Sequence, residues 1–428
     1  MKSKNGIFSF PKNYWTAIIM EFFERGSYYG IMSVLSVYLV ATVVDGGLGF
    51  SKEGVGIILS IITFLIYLLP ILSGAIAERF GYRKVLMGSF VIMSLGYFLT
   101  GLSNSYFAVF TSLMLVALGA GFFKPIISGT IARSTNEDNS ALGFGIFYWV
   151  INLGAFLVPL ILIPILKEIS YTYIFYMAAI ATGSMLILNL FVFKEPKREQ
   201  SAKSILIVFK EALFVIKDIR FITLIGIYSC FWILYFQMYG SVLWYVRDYV
   251  DASSLNSAVN KFLSLFVENP NWKFDVEHVT VVNAGTIICL QLVVSSIVKK
   301  WKPLPTMITG ISIATLGMII FAISTNIWVF LVGAIIFSFG EMTAHPKFLS
   351  YVGLIAPEDK KALYLGYSFL YGAVGSIGGF LGAKMYTYFV DKLHSPTALW
   401  LIFSGIGLMT IAGLILFNKS VSMKGARE

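Results

Sequence analysis

Charge is scarce in this chain. Only 13% of its 428 residues are Asp, Glu, Lys or Arg, 57% are hydrophobic, and mean hydropathy is +0.81. Soluble domains carry about 25% charged residues, so the composition excludes one and indicates a polytopic, all-α integral membrane protein. Cysteine is nearly absent. Cys230 and Cys289 both lie in apolar runs, which excludes a disulfide framework and places them in the core. Three histidines and no His-Glu-x-x-His segment leave no metal cluster and no nucleophile–base pair of the kind an intramembrane hydrolase needs. The expectation is therefore a non-enzyme with no catalytic residue, no metal and no cofactor. His278 and His394 are expected at the outer surface. The stretch from Met1 to Tyr14 lacks the short apolar core and small-residue cleavage site of a signal peptide, so the first spanning helix serves as insertion signal.

Long apolar segments are what the chain has instead. They fall at 14–44, 52–77, 84–102, 106–132, 141–166 and 171–193, then at 220–246, 278–298, 303–324, 327–356, 361–388 and 395–418. The pattern predicts twelve transmembrane helices in two six-helix bundles, 1–193 and 220–428, joined by a linker over 194–219. The linker is basic, with Lys194, Lys197, Arg198, Lys203, Lys210 and Lys217, and its stretch 204–216 is amphipathic enough to lie along a membrane surface.

Lys and Arg set the orientation. One side holds the N-terminus, Arg79, Arg83, Lys84, Arg133, the linker, Lys299, Lys300, Lys302, Lys360, Lys361, Lys419, Lys424 and Arg427. The other side is nearly bare. Both termini are therefore expected in the cytoplasm, with the protein multi-pass in the plasma (inner) membrane. This distribution accounts for the net charge of +10 without nucleic-acid binding. One long outside segment, 247–278, mixes signs and contains a short helix over 255–266.

The first helix breaks the apolar rule. Glu21, Glu24 and Arg25 sit inside it, and each charge is unfavourable in hydrocarbon by about 2.5–3.5 kcal/mol at mid-membrane. Positions 21, 24, 25, 28 and 29 share one helical face, so two carboxylates, a guanidinium and the phenols of Tyr28 and Tyr29 point the same way. That face belongs against a wet cavity.

Several motifs now combine. Gly74-Ala-Ile-Ala-Glu78-Arg79-Phe-Gly81-Tyr-Arg83-Lys84 resembles the major facilitator loop Gly-x-x-x-Asp/Glu-Arg-x-Gly-x-Arg-Lys, in which Glu78 can pair across helices. The segment from Glu21 to Gly30 resembles the Glu-x-x-Glu-Arg-Phe-x-Tyr-Tyr-Gly signature of the proton-dependent oligopeptide transporter (POT/PTR) family, with Gly26 where Phe is usual. Gly119-Ala-Gly121-Phe-Phe-Lys124-Pro125 is similar to that family's helix-four lysine motif. Phe147-Tyr148-Trp-Val-Ile151-Asn152-Leu-Gly154 is similar to its helix-five signature, and Gly340-Glu341-Met-Thr-Ala-His345-Pro346 to its helix-ten block. The blocks occur in family order.

The resemblance implies a major facilitator fold with substrate held near the midplane, and a symporter of di- or tripeptides driven by protons. Glu21, Glu24, Arg25, Lys124, Glu341 and His345 are the candidate coupling residues. Burial opposes charge on the carboxylates while a nearby cation supports it, the opposition that a proton-coupled carrier requires. His345 lies one turn beyond Glu341, where the family usually has Ser, and is a candidate proton relay. Arg25, Tyr28, Tyr29, Tyr67, Lys124, Tyr148, Asn152, Gln237 and Glu341 are the candidate substrate contacts. Lone tyrosines in membrane helices also serve as packing or anchors. Pro125 and Pro346 each remove a backbone donor, so both helices can bend there.

Two departures stand out. Met32 replaces an Arg near the end of the first signature, and Phe236 replaces a Glu in helix seven. In the family these two charges are thought to pair across the outer gate. Losing one would strand a buried charge, whereas losing both is physically coherent. The helix-eleven Trp is replaced, at Ser368, and the extra helix pair of many bacterial relatives is absent. Peptide specificity thus has an alternative: a proton-coupled carrier of another small solute, an organic anion or a drug-like compound, or at lower weight a non-transporting sensor. Expected partners are a short peptide, protons and the bilayer, with the chain monomeric.

Overall fold

The computed structural model describes residues 10–136, 139–195, 210–211 and 214–425. Most of the amphipathic stretch 204–216 lies outside the described residues, as do Lys2, Lys4, Lys197, Arg198, Lys203 and Arg427.

Among the described residues twelve helical rods follow one another, with a short helix at Ser253–Leu263 between the seventh and the eighth. α1 comprises Lys12–Met32 and Leu35–Val40, and α2 comprises Lys52–Leu68 and Pro70–Phe80. α3 is Tyr82–Leu102, α4 Tyr106–Arg133, and α5 runs as Ser140–Leu157, Val158–Leu162 and Ile163–Ile169, followed by α6, Tyr171–Phe191. In the second half α7 is Ile219–Phe236, Gln237–Tyr239 and Ser241–Tyr249, α8 Glu277–Val298, α9 Pro303–Phe321 and α10 Ile327–Ile355. α11 is divided into Lys361–Tyr367, Leu370–Gly375, Gly378–Tyr386 and Thr387–Lys392, and α12 is Pro396–Gly425. Among the described residues nine helices are long and apolar enough to cross a membrane, ten when bent α2 counts as one span. α1 misses that criterion through its charges and α11 through its breaks; with them the twelve-helix plan is complete.

Several breaks were not visible in the hydrophobic pattern. α2 bends by 47° at Leu69, where Pro70 cannot donate to the preceding turn. α1 is interrupted at Ser33–Val34. The helix expected at 255–266 forms at Ser253–Leu263.

The chain divides into two compact units. The first contains residues up to Met32, Thr42–Leu48 and Ile61–Asp218. The second contains Ser33–Ala41, Gly49–Ser60 and everything from Ile219. Both units thus consist mainly of one sequence half, but the end of α1 and the start of α2 cluster with the second.

The α2–α3 loop shows how the basic end of the first unit is tied together. Gly81 turns there with a φ of +99°, a region that L side chains avoid. The Glu195 carboxylate accepts from the backbone N–H groups of Tyr82 at 2.8 Å and Arg83 at 2.9 Å. It thereby caps the positive end of α3. Arg83 Nε donates to Asn189 O at 3.1 Å, and Asn189 Nδ2 returns a bond to Arg83 O at 2.9 Å. Glu78 pairs across to α4, with Arg133 Nη2 at 3.5 Å.

Two placements differ from the sequence reading. His278 is not at the surface; it is 4% exposed because the segment before α8 folds over it, with the Trp272 ring at 5.0 Å and Phe274 at 5.3 Å. Asn260 and Asn256 hold that segment by accepting from Trp272 N and Phe274 N, each at 2.8 Å. Cys289 is exposed on α8 and not part of a core, since the apolar run that suggested burial faces outward there.

Candidate functional site

In the first unit the charges of α1 are almost wholly buried: Glu21 is 2% exposed, Glu24 0% and Arg25 4%. Arg25 grips Glu24 with both prongs, Nη2 donating to Oε1 at 2.6 Å and Nε to Oε2. Glu21 Oε1 lies 3.6 Å from Arg25 Nε, while its Oε2 is buried with no hydrogen-bond partner. The guanidinium sits 5.0 Å from the Tyr28 ring centre and 5.8 Å from that of Tyr29. Lys124 on α4 lies within electrostatic reach of Glu21, Glu24 and Arg25, and its Nζ is 5.0 Å from the centre of the Tyr67 ring. Two anions and two cations therefore share one desolvated pocket, a balance that lets them coexist there.

Local packing explains how the sequence builds this pocket. Gly26 and Gly154 let α1 and α5 touch. A Cβ at Gly26 would come within 2.7 Å of Val158 Cγ2, so the Phe of the related signature has no room here. Pro125 cannot donate to Gly121 O, and that carbonyl instead accepts from Ser73 Oγ of α2 at 2.8 Å. This bond fixes the Pro70–Phe80 segment of α2, just past the bend that follows Tyr67, against the lysine-bearing turn of α4.

Tyr97 of α3 is 1% exposed, and its hydroxyl has no hydrogen-bond partner, although Glu24, Arg25 and Tyr28 lie within electrostatic reach. Asn152 is buried and donates to Tyr148 O at 3.0 Å, while the Tyr148 side chain is 44% exposed.

The second unit holds Glu341 and His345. Asn283 Nδ2, on α8, donates to Glu341 Oε2 at 3.1 Å and to Ser338 Oγ at 2.9 Å. His345 Nδ1 lies 3.1 Å from the Tyr228 hydroxyl of α7. Its ring is walled by Trp232 at 5.4 Å, Tyr371 at 5.5 Å and Phe348 at 6.5 Å. Gln237 is committed to holding α7 against α11. Its Nε2 donates to Ile233 O at 2.8 Å and Gly378 O at 2.9 Å, and its Oε1 accepts from Ser241 Oγ at 2.8 Å.

Sequence reasoning missed Asn283, Ser73, Tyr97 and Tyr228. An amide in the middle of an apolar span was a usable signal for Asn283. The other three lie outside every motif and look like ordinary packing residues. No group of three or more His, Cys, Asp or Glu side chains positioned for a metal occurs among the described residues.

Comparison with known proteins agrees with this architecture. The family model described as Major Facilitator Superfamily matches residues 17–383. The "Uncharacterized transporter YclF" of Bacillus subtilis (strain 168) is 35% identical over 197 residues, covering 45% of this chain and 40% of the relative. A "Di-/tripeptide transporter" of Lactococcus lactis subsp. lactis (strain IL1403) is 34% identical over 185 residues, covering 42% of this chain and 37% of the relative. The chain thus matches less than half the length of either. A solved POT family transporter in complex with 5-aminolevulinic acid superimposes with a TM-score of 0.80 at 21% identity, covering 97% of this chain and 98% of that one. At that identity the likeness is one of fold.

Proposed function

The chain belongs to the Major Facilitator Superfamily, and from that premise we propose that it is a proton-coupled symporter of di- and tripeptides. The observation that carries the reading is the charge-balanced cluster of buried Glu21, Glu24 and Arg25 with the half-buried Lys124 within electrostatic reach. Ionisable side chains at membrane depth are kept where they pair with one another, and such paired groups mark substrate and proton pathways. Protons bind Glu21 or Glu24 and Glu341, and each binding event changes what Arg25, Lys124 and Asn283 hold. Arg25 and Lys124 receive the peptide carboxylate, and Glu341 receives its amine. Tyr28, Tyr29, Tyr67, Tyr148 and Asn152 hold backbone groups without selecting a side chain. His345, bonded to Tyr228, relays protons at the lower turn of α10.

The carrier works by alternating access as a monomer, multi-pass in the plasma membrane with both termini in the cytoplasm. The naming of the Lactococcus relative as a di-/tripeptide transporter supports the substrate class. A second reading, another small solute as cargo, is favoured by Met32 and Phe236, which depart from the peptide-family pattern. The test is ligand-induced thermal stabilisation of the purified protein with di- and tripeptides against organic anions and other amino-acid-like metabolites. Stabilisation by peptides at lower concentration than by the others supports the first reading. Stabilisation by a non-peptide solute alone overturns it.

A further inference from the structure

Without charges at positions 32 and 236, something else must hold the outer ends of the helices closed. We infer that Lys52 of α2 and Asp391 of α11 form that latch, with Trp244 of α7 fastening α1 beside it. The inference rests on the carrier reading above, which makes this end the outer one.

The geometry is specific. Lys52 Nζ lies 2.7 Å from Asp391 Oδ1 and 2.9 Å from Oδ2. The lysine is only 14% exposed, and its ammonium sits 4.3 Å from the centre of the Tyr386 ring and 5.9 Å from that of Trp244. Trp244, 1% exposed, donates from Nε1 to Ser36 O at 3.0 Å. Deeper along the same seam, Phe380 N of α11 donates to Ser60 Oγ of α2 at 2.8 Å. The contacts 52 with 391 and 60 with 380 run antiparallel, so α2 and α11 close like two sides of a zip.

Helix electrostatics separate a latch from surface decoration. Lys52 is the first residue of its helix, where the backbone dipole favours an anion. Asp391 is in the last turn of α11, where the dipole favours a cation. Each charge is misplaced on its own helix and is corrected by the other, and the ring faces of Tyr386 and Trp244 add to the hold on the lysine cation. The segments involved, Ser33–Ala41 and Gly49–Ser60, are those that join the second compact unit instead of the first. Outward opening requires these segments to part from α7 and α11, and so to break the Lys52–Asp391 pair.

A cysteine at Ser36 reads the latch. Ser36 is 0% exposed and its hydroxyl has no hydrogen-bond partner, so a thiol replaces it with little disturbance. In a background with Cys230 and Cys289 changed to Ser, Ser36→Cys is labelled in proteoliposomes by a membrane-impermeant maleimide. Lys52→Ala and Asp391→Ala should each raise the labelling rate about threefold to fivefold, the scale of a partly exposed ion pair. Lys52→Asp and Asp391→Lys alone should do the same, and together they should return the rate to that of the parent. High salt should accelerate labelling of the parent but not of Lys52→Ala. Unchanged labelling in both alanine variants, or a parent rate indifferent to salt, overturns the latch. Peptide uptake is measured in the same vesicles, so failure of the substrate reading is seen separately from failure of the latch.

Discussion

Arg25 holds its immediate sequence neighbour Glu24 in a two-pronged ion pair buried in α1. Neighbouring residues point about 100° apart on a helix, so the pair forms only because both side chains bend toward each other. No second helix is needed to make it. A rocking motion therefore does not break the pair by itself; a competing cation, anion or proton must. That is the property a coupling site needs.

Truncating Arg25 leaves two carboxylates in a buried pocket with only Lys124 to balance them. Arg25→Ala should lower stability by about 3–5 kcal/mol, read as thermal unfolding in detergent. Arg25→Ala combined with Glu24→Ala should unfold at higher temperature than Arg25→Ala alone, because it removes the stranded charge. Equal loss in the single and double variants would contradict the pairing.

Ser73→Ala removes the donor that serves Gly121 O where Pro125 cannot. The carbonyl is then buried and unpaired, at about 1–3 kcal/mol. Thermal stability should fall by that amount. Adding Pro125→Ala restores a backbone donor, and most of the loss should be recovered.

Tyr97→Phe should leave resting stability unchanged or slightly raised, since the lost hydroxyl has no hydrogen bond to lose. If Tyr97 receives Glu24 when Arg25 lets go, the variant should still shift the pH profile of proton-driven uptake while solute counterflow at equal pH is spared. A destabilised Tyr97→Phe with an unshifted profile would make the tyrosine a packing residue.

Much of this was legible in the chain. The charges of α1 announced themselves by being in the wrong medium, and Lys124 and Glu341 were found through the motifs that resemble those of a known family. The Gly81 loop and the pairing of Glu78 followed from the loop motif that resembles the major facilitator pattern. What stayed hidden depends on neighbours far away in sequence. That Ser73 answers Pro125 is a relation between α2 and α4 that neither segment states alone. Asn283 meets Glu341 across 58 positions, and Lys52 meets Asp391 across 339. Gly26 looked like a defect in a motif until the close approach of α5 gave it a reason. His278 looked exposed because polar sequence surrounds it, and only the fold of Trp272 and Phe274 over its ring shows otherwise.

Glu341→Gln removes the carboxylate of α10 while keeping its shape and an oxygen that accepts from Asn283. Because Glu341 also receives the peptide amine, counterflow should weaken through a higher KM but persist at saturating solute. Net uptake driven by a proton gradient should drop more than about tenfold, a loss of about 1.4 kcal/mol or more of coupling. Equal loss of both activities at saturating solute would leave Glu341 a binding group with no part in coupling.

The most direct measurement is dipeptide uptake by the wild-type protein in proteoliposomes, with and without an acid-outside proton gradient. Accumulation above equilibrium with the gradient, abolished by a protonophore, is the predicted result. A protein that is folded and stabilised by peptide yet accumulates none under the gradient would contradict the account.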